Sequence, residues 1–201
     1  SAFAPVTDVN RCLTPELVLT EGDTSLLLLE VNAGKNRLGG SVLAQVHGAF
    51  GQEVPDLDSP APLRGFFDAV QQLNRENLVL AYHDRSDGGL AATVCEMAFA
   101  SHCGLELDLG VQQAELPAAF FAEEPGAVVQ VRVCDLPRVR EVLSMHGISG
   151  MARAIGRPVS GDRLRLTHLG EVVLDELLPS LQRTWSETSH ALQRLRDNPE
   201  C

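Results

Sequence analysis

Apolar and polar positions follow different periods along this chain, and each period names an element. Residues 25–31, SLLLLEV, are apolar almost throughout, which predicts a short strand buried on both faces. A glycine-bearing loop, NAGKNRLGGS (32–41), comes next. Beyond it Val42, Leu43, Val46 and Phe50 recur at helical spacing, with Ser41 placed to cap the helix. Ser59 before Pro60 opens the clearest helix, which runs to Glu76 with Leu63, Phe66, Phe67, Val70 and Leu73 on one stripe.

LVLAYH (78–83) reads as a strand, and from Gly88 the pattern turns helical, with Leu90, Val94, Met97 and Ala98 on one face up to Gly104. LELDL (105–109) alternates as a half-exposed strand does. PAAFFAEE (117–124) is a short helical patch, AVVQVRV (127–133) a strand and LPRVREVLSMHG (136–147) a helix. ARAIGRPV, RLRLTH and EVVLDEL then read as closing strands arranged like antiparallel hairpins. The expected fold is therefore α+β, a mixed sheet layered with helices. In the last segment Leu178, Leu181, Trp185, Thr188, Leu192 and Leu195 step by three and four, one stripe along a helix. That stripe either packs on the chain's own core or serves as a strut for a following domain.

Composition narrows the function classes. The 201 residues carry a formal net charge of -11, which argues against a nucleic-acid binder, since phosphate backbones are held by surplus Lys and Arg. No apolar run approaches the roughly 20 residues of a membrane span. Five cysteines, odd in number and without a C-x-x-C pair, fit free thiols in a reducing cytoplasm. Cys95 with His102 and Cys103 lacks the second paired set that tetrahedral zinc needs. SAFAPVTDV has neither the basic region nor the apolar run of a signal peptide, and we read it as an internal start, the tail of a preceding unit.

The chemistry concentrates in HDRSDGG (83–89), at the junction of a strand and a helix. Amides of a first helical turn lack intrahelical partners and attract anions. Gly88 and Gly89 let backbone approach a phosphate, and Ser86 offers a hydroxyl. Asp84, acceptor-only when ionised, cannot hold phosphate itself but can hold a Mg²⁺ that bridges phosphate oxygens. By spacing alone the alternative stands beside this: Ser86 or Asp87 caps the helix and the glycines make a turn. His83 is either a general base or a hydrogen-bonded structural residue, and Arg85 pairs with a carboxylate or with phosphate.

The loop in its surroundings, AYHDRSDGGLAATVCEMAFASHCGLELDL, with NRLGGSVLAQV upstream and RTWSETSHALQRLRDNPEC at the end, resembles the long, bacterial-type phosphoribosylformylglycinamidine synthases (formylglycinamide ribonucleotide amidotransferases). The resemblance covers essentially all of the chain. It implies the second aminoimidazole-ribonucleotide-synthetase-like C-terminal domain, with residues 1–22 ending a preceding N-terminal-type domain, 23–177 forming the domain itself and 178–201 leading toward a glutaminase domain. It further implies a carbon–nitrogen ligase of purine biosynthesis, cytoplasmic, which uses ATP and glutamine to amidate formylglycinamide ribonucleotide. The family's motif puts a Mg²⁺ ligand on Asp84 and an ATP or ADP contact on Ser86, beside Gly88 and Gly89. Its other metal ligands lie on a partner domain, and its glutaminase residues on a later one. The expected partners are those remaining domains of the same polypeptide, and the isolated chain is expected to be inactive. A direct ligand contact at NRLGGS remains an open alternative. So does a non-catalytic domain that packs against its neighbours and keeps a bound nucleotide.

Overall fold

The computed structural model describes residues 3–6, 8–32, 34–112 and 115–197. Seven strands form one mixed sheet: β1 (Thr24–Glu30), β2 (Ala81–Asp84), β3 (Gly104–Asp108), β4 (Gly126–Arg132), β5 (Ala152–Val159), β6 (Arg163–His168) and β7 (Glu171–Leu177). Their order across the sheet is β2-β4-β1-β5-β3-β6-β7. The helices are α1 (Val42–Val46), α2 (Pro60–Arg75), α3 (Gly89–Ser101), α4 (Leu116–Phe121), α5 (Leu136–Met145) and α6 (Leu178–Arg196).

The run of leucines in β1 is buried on both faces because the sheet is covered on both. Leu26 and Leu28 pack with Leu90, Val94 and Met97 of α3 and Phe120 of α4. Leu27 and Leu29, pointing the other way, pack with Ala69, Val70 and Leu73 of α2 and Val139, Val142 and Leu143 of α5. β1 has neighbours on both edges, antiparallel β4 and antiparallel β5. Its backbone groups are thereby paired as its side chains leave water, at about 25 cal/mol per Å² of apolar surface.

Three expectations need correcting. β5 and β6 do not form a hairpin: β3 lies between them, antiparallel to β5 and parallel to β6. Only β6 and β7 pair as consecutive antiparallel strands at that end. Helix α1 stops at Val46, and the chain turns at Gly48 in the left-handed region (φ 63°), which leaves Phe50 exposed. The stripe of α2 is buried only toward its C-terminal end, with Leu63 and Phe67 at the surface.

The N-terminal segment is tied to this sheet. Buried Gln130 of β4 accepts from Val18 N (2.8 Å) and donates to Val18 O (2.7 Å), while Tyr82 N donates to Thr14 O (2.9 Å) along the outer edge of β2. On α6, Leu178 is buried and Leu181 packs against the core, whereas Leu192 and Leu195 are exposed. The predicted stripe is therefore used by this chain only in its first half. Among the described residues no helix is long and apolar enough to cross a membrane.

Candidate functional site

The ends of β1 and β2 and the starts of β4 and β5 lie along one edge of the sheet, and HDRSDGG leaves it from β2. Asp84 is the last residue of that strand, opposite Ala127 of β4. Alternation puts Tyr82 and Asp84 on the same face. Tyr82 packs on the α2 and α5 side and donates its hydroxyl to Asp84 Oδ1 (2.6 Å). Burial, and then the Asp84 carboxylate beside it, push the phenol above its ordinary value, so the proton stays on the tyrosine. The carboxylate of Asp84 is exposed.

His83 faces the other way, toward α3, where Nε2 meets Glu96 Oε2 (2.9 Å) and Nδ1 meets the Asp84 carbonyl (2.8 Å). Both of its ring nitrogens are thus engaged within the chain. Arg85 turns inward. Its backbone N–H donates to Gly126 O (2.8 Å), Nε to Glu124 O (2.6 Å) and Nη1 to Glu30 Oε1 (3.3 Å). Glu30 also accepts from Arg153 Nε (3.2 Å), so Arg85 pairs with a carboxylate. Burial pulls the Arg85 guanidinium below its ordinary value, with Glu30 and Glu124 opposing. Ser86 and Asp87 then emerge into solvent.

Neither Ser86 nor Asp87 caps α3 with its side chain, contrary to the capping alternative. The N-cap is Gly88 in the left-handed region (φ 82°), and no local side chain bonds there. A distant one does. Glu123 Oε1 accepts from Gly88 N (2.9 Å) and from Val42 N (2.8 Å), one carboxylate serving the starts of α3 and α1. Gly89 is also left-handed (φ 66°), and a Cβ there would meet Phe121 C and Ala122 O at 2.7 Å. The close backbone approach that only glycine permits is here an approach by the chain itself.

Glu124, next in sequence, is fully buried and organises the glycine loop. Its Oε1 accepts from Arg37 Nε (2.6 Å) and Arg37 N (3.2 Å), its Oε2 from Arg37 Nη2 (2.8 Å) and Asn32 Nδ2 (3.0 Å). Burial works to raise this carboxyl, but the Arg37 and Asn32 donors outweigh it and hold it below the ordinary carboxylate range. Sequence reading passed over both acids as the end of a helical patch. The available signal was two adjacent carboxylates wedged between apolar FFA and a Pro-Gly turn, a place with no reason for charge unless donors surround it. In the glycine loop, Gly39 N donates to Glu53 O and Gly40 N to Phe50 O, both at 2.7 Å, so these amides bond within the chain. A cavity of about 580 Å³ lies beside it, lined by Gly34, Lys35, Asn36, Arg37, Glu53 and Val54.

Among the described residues no three His, Cys, Asp or Glu side chains group as a metal site. Asp84 alone fits a looser role. Mg²⁺ is commonly held by one or two carboxylates, with water and phosphate oxygens completing its shell, and an exposed carboxylate with one oxygen fixed by Tyr82 is such a donor. Cys95 and Cys103 are poor nucleophiles: burial and then nearby Glu96 push Cys95 up to about 11, and burial raises Cys103.

Residues 20–169 match the family described as AIR synthase related protein, C-terminal domain. The chain belongs to that family. Among solved structures, Thermotoga maritima PurL complexed with ATP is similar at 12% identity and a TM-score of 0.67, over 86% of this chain and 27% of that one. Phosphoribosylformylglycinamidine synthase II from Thermotoga maritima is similar at 13% identity and a TM-score of 0.66, over 86% and 28%. E. coli HypE, a hydrogenase maturation protein, is similar at 23% identity and a TM-score of 0.56, over 82% and 52%. At these identities the structural likeness speaks for the fold. An AIR-synthase-related domain thus spans little more than a quarter of the two Thermotoga chains it resembles.

Proposed function

We propose that this chain is part of a phosphoribosylformylglycinamidine synthase, the glutamine- and ATP-dependent carbon–nitrogen ligase that amidates formylglycinamide ribonucleotide, and that it supplies half of a Mg-nucleotide site. The observation that carries the reading is Asp84, exposed at the end of β2 and fixed by Tyr82, immediately before a turn whose serine also faces solvent. Family membership and the likeness to a PurL complexed with ATP support it.

In this reading Asp84 donates a carboxylate oxygen to Mg²⁺ and the Ser86 hydroxyl contacts the nucleotide, while Gly88 and Gly89, closed against Glu123 and the Phe121–Ala122 backbone, hold the turn behind them. The ion supplies charge neutralisation for the phosphates. The chain's own residues orient: Tyr82 holds one oxygen of Asp84, and Arg85, anchored inward to Glu124 and Glu30, keeps the residues on either side pointing out. Partner domains of the same polypeptide complete the cleft, with the glutaminase in a later one, and the setting is the cytoplasm.

The test is calorimetric titration of the chain with Mg-ADP. Asp84→Asn is expected to weaken binding about tenfold, the scale on which a metal-site partner acts. Unchanged affinity would remove Asp84 from the site. Turnover by the isolated chain with ATP and ammonia would refute its being only half of a cleft.

A further inference from the structure

We propose that Glu96 is a positioning residue, a single carboxylate that locks α6 to the Asp84 end of β2, so that the seating of α6 is felt at the proposed cation ligand. The inference rests on the assignment of Asp84 made above, and on three polar contacts in series. Trp185 of α6 donates its indole N–H to Glu96 Oε1 (2.9 Å). His83 Nε2 meets the other oxygen, Oε2 (2.9 Å), and His83 Nδ1 meets the carbonyl of Asp84 (2.8 Å).

Each link is chemically restricted. An indole N–H only donates, and a carboxylate has one oxygen for each of its two neighbours here. The Trp185 ring is also seated, tilted on Phe99 with centroids 5.9 Å apart, although 57% of the residue remains exposed. Beyond Trp185 the helix carries its apolar residues away from the core, with Leu192 and Leu195 exposed. Trp185 is thus the last point at which the apolar stripe of α6 grips the body of the protein. It grips through the residue that also holds His83. A Glu in the middle of α3, facing neither solvent alone nor an arginine, has its two oxygens divided between β2 and α6. His83 is the one of the three that touches Asp84, and side chains one step removed from a metal ligand commonly change metal affinity by about ten- to a hundredfold when removed.

Trp185 is the only tryptophan of the chain, so its emission reports on the Glu96 contact directly. First, without ligand, emission and acrylamide quenching are compared for wild type, His83→Ala and Glu96→Gln in the 201-residue chain. Losing His83 frees the far side of Glu96, and a shifted emission with easier quenching is expected in both variants. Emission unchanged in His83→Ala overturns the coupling, whether or not nucleotide binds. Second, Mg-ADP is titrated calorimetrically into wild type, His83→Ala, Trp185→Phe and the double variant. His83→Ala is expected to bind about tenfold more weakly, and Trp185→Phe, two contacts further out, to bind more weakly than wild type by a smaller factor. The double variant should bind no more weakly than the worse single one, because both cut the same chain of bonds. Losses that multiply, or Trp185→Phe binding as wild type does, overturn the proposal. No binding by wild type, together with the expected emission shift in His83→Ala, refutes a half-site that works without its partner domains and leaves the Glu96 link standing.

Discussion

Replacing Glu124 by Gln tests the join between the glycine loop and the body of the domain. The carboxylate accepts four hydrogen bonds, two at each oxygen. Whichever way the introduced amide turns, its NH₂ faces two N–H donors, so two bonds are lost and a donor–donor contact replaces them. Arg37 is also left without its buried counter-charge. Breaking a buried pair on one side costs about 3–5 kcal/mol, and Arg37, whose side chain keeps 13% exposure, places the loss near the lower end, at about 3 kcal/mol. For a chain of this length that is a fall in Tm of roughly 6–12 °C.

The same substitution predicts a pH dependence. The folded-state value of Glu124 lies below its unfolded one, so its contribution is fully present above the ordinary carboxylate range, about 4.3, and is lost as pH falls through the depressed folded value. Urea unfolding of wild type and Glu124→Gln should give the full gap at about pH 7 and about pH 5, with the two proteins converging below about pH 4. A gap under about 1 kcal/mol at neutral pH, or one that persists undiminished in acid, would refute the assignment of Glu124 as an ionised, buried acceptor.

Gly89→Ala adds a Cβ at 2.7 Å from two backbone atoms and forces a left-handed alanine, so it is expected to lose about 3 kcal/mol in urea unfolding; a loss under about 1 kcal/mol would mean that the Phe121–Ala122 backbone yields easily. Glu123→Ala removes the shared acceptor of two helix starts and should cost about 1–2 kcal/mol, while Glu123→Gln, which keeps an oxygen, should cost less than half as much. Equal losses in the two variants, by thermal unfolding, would show that the amides do not depend on that oxygen.

Local structure was legible in the sequence where one segment carries the whole cause. SLLLLEV is apolar at consecutive positions because consecutive side chains enter different cores, Ser41 caps α1 with its hydroxyl as read, and α2 starts at Pro60 after Ser59. Strand order was not legible, because pairing is decided between segments. β3 inserts between β5 and β6, and the one local trace is the glycine inside ARAIGRPV. A Cβ on Gly156 would meet Glu106 O at 2.1 Å, and the register of β1 against β5 shifts at that residue. The candidate site was half legible for a related reason. Asp84 and Ser86 could be singled out because their neighbours in sequence define a strand end, whereas Glu123, Glu124, Glu30 and Glu96 act from other elements. Spacing says nothing of partners that lie far along the chain.

Those distant acids change what the loop can accept. A helix N-terminus attracts anions because its amides are unanswered, but at α3 the Gly88 amide already faces a carboxylate that is also bonded to the start of α1. The nearest arginine is turned inward onto Glu124 and Glu30. What the turn presents outward is therefore two carboxylates, Asp84 and Asp87, with one serine hydroxyl between them. A bare polyphosphate meets repulsion at such a surface, and only a cation reverses its sign. If the proposed assignment holds, affinity for ADP must depend steeply on Mg²⁺, and Glu123→Gln, by removing one of the local negative charges, must make that dependence shallower. Magnesium-independent binding of ADP by the wild-type chain would place the nucleotide elsewhere than on this loop.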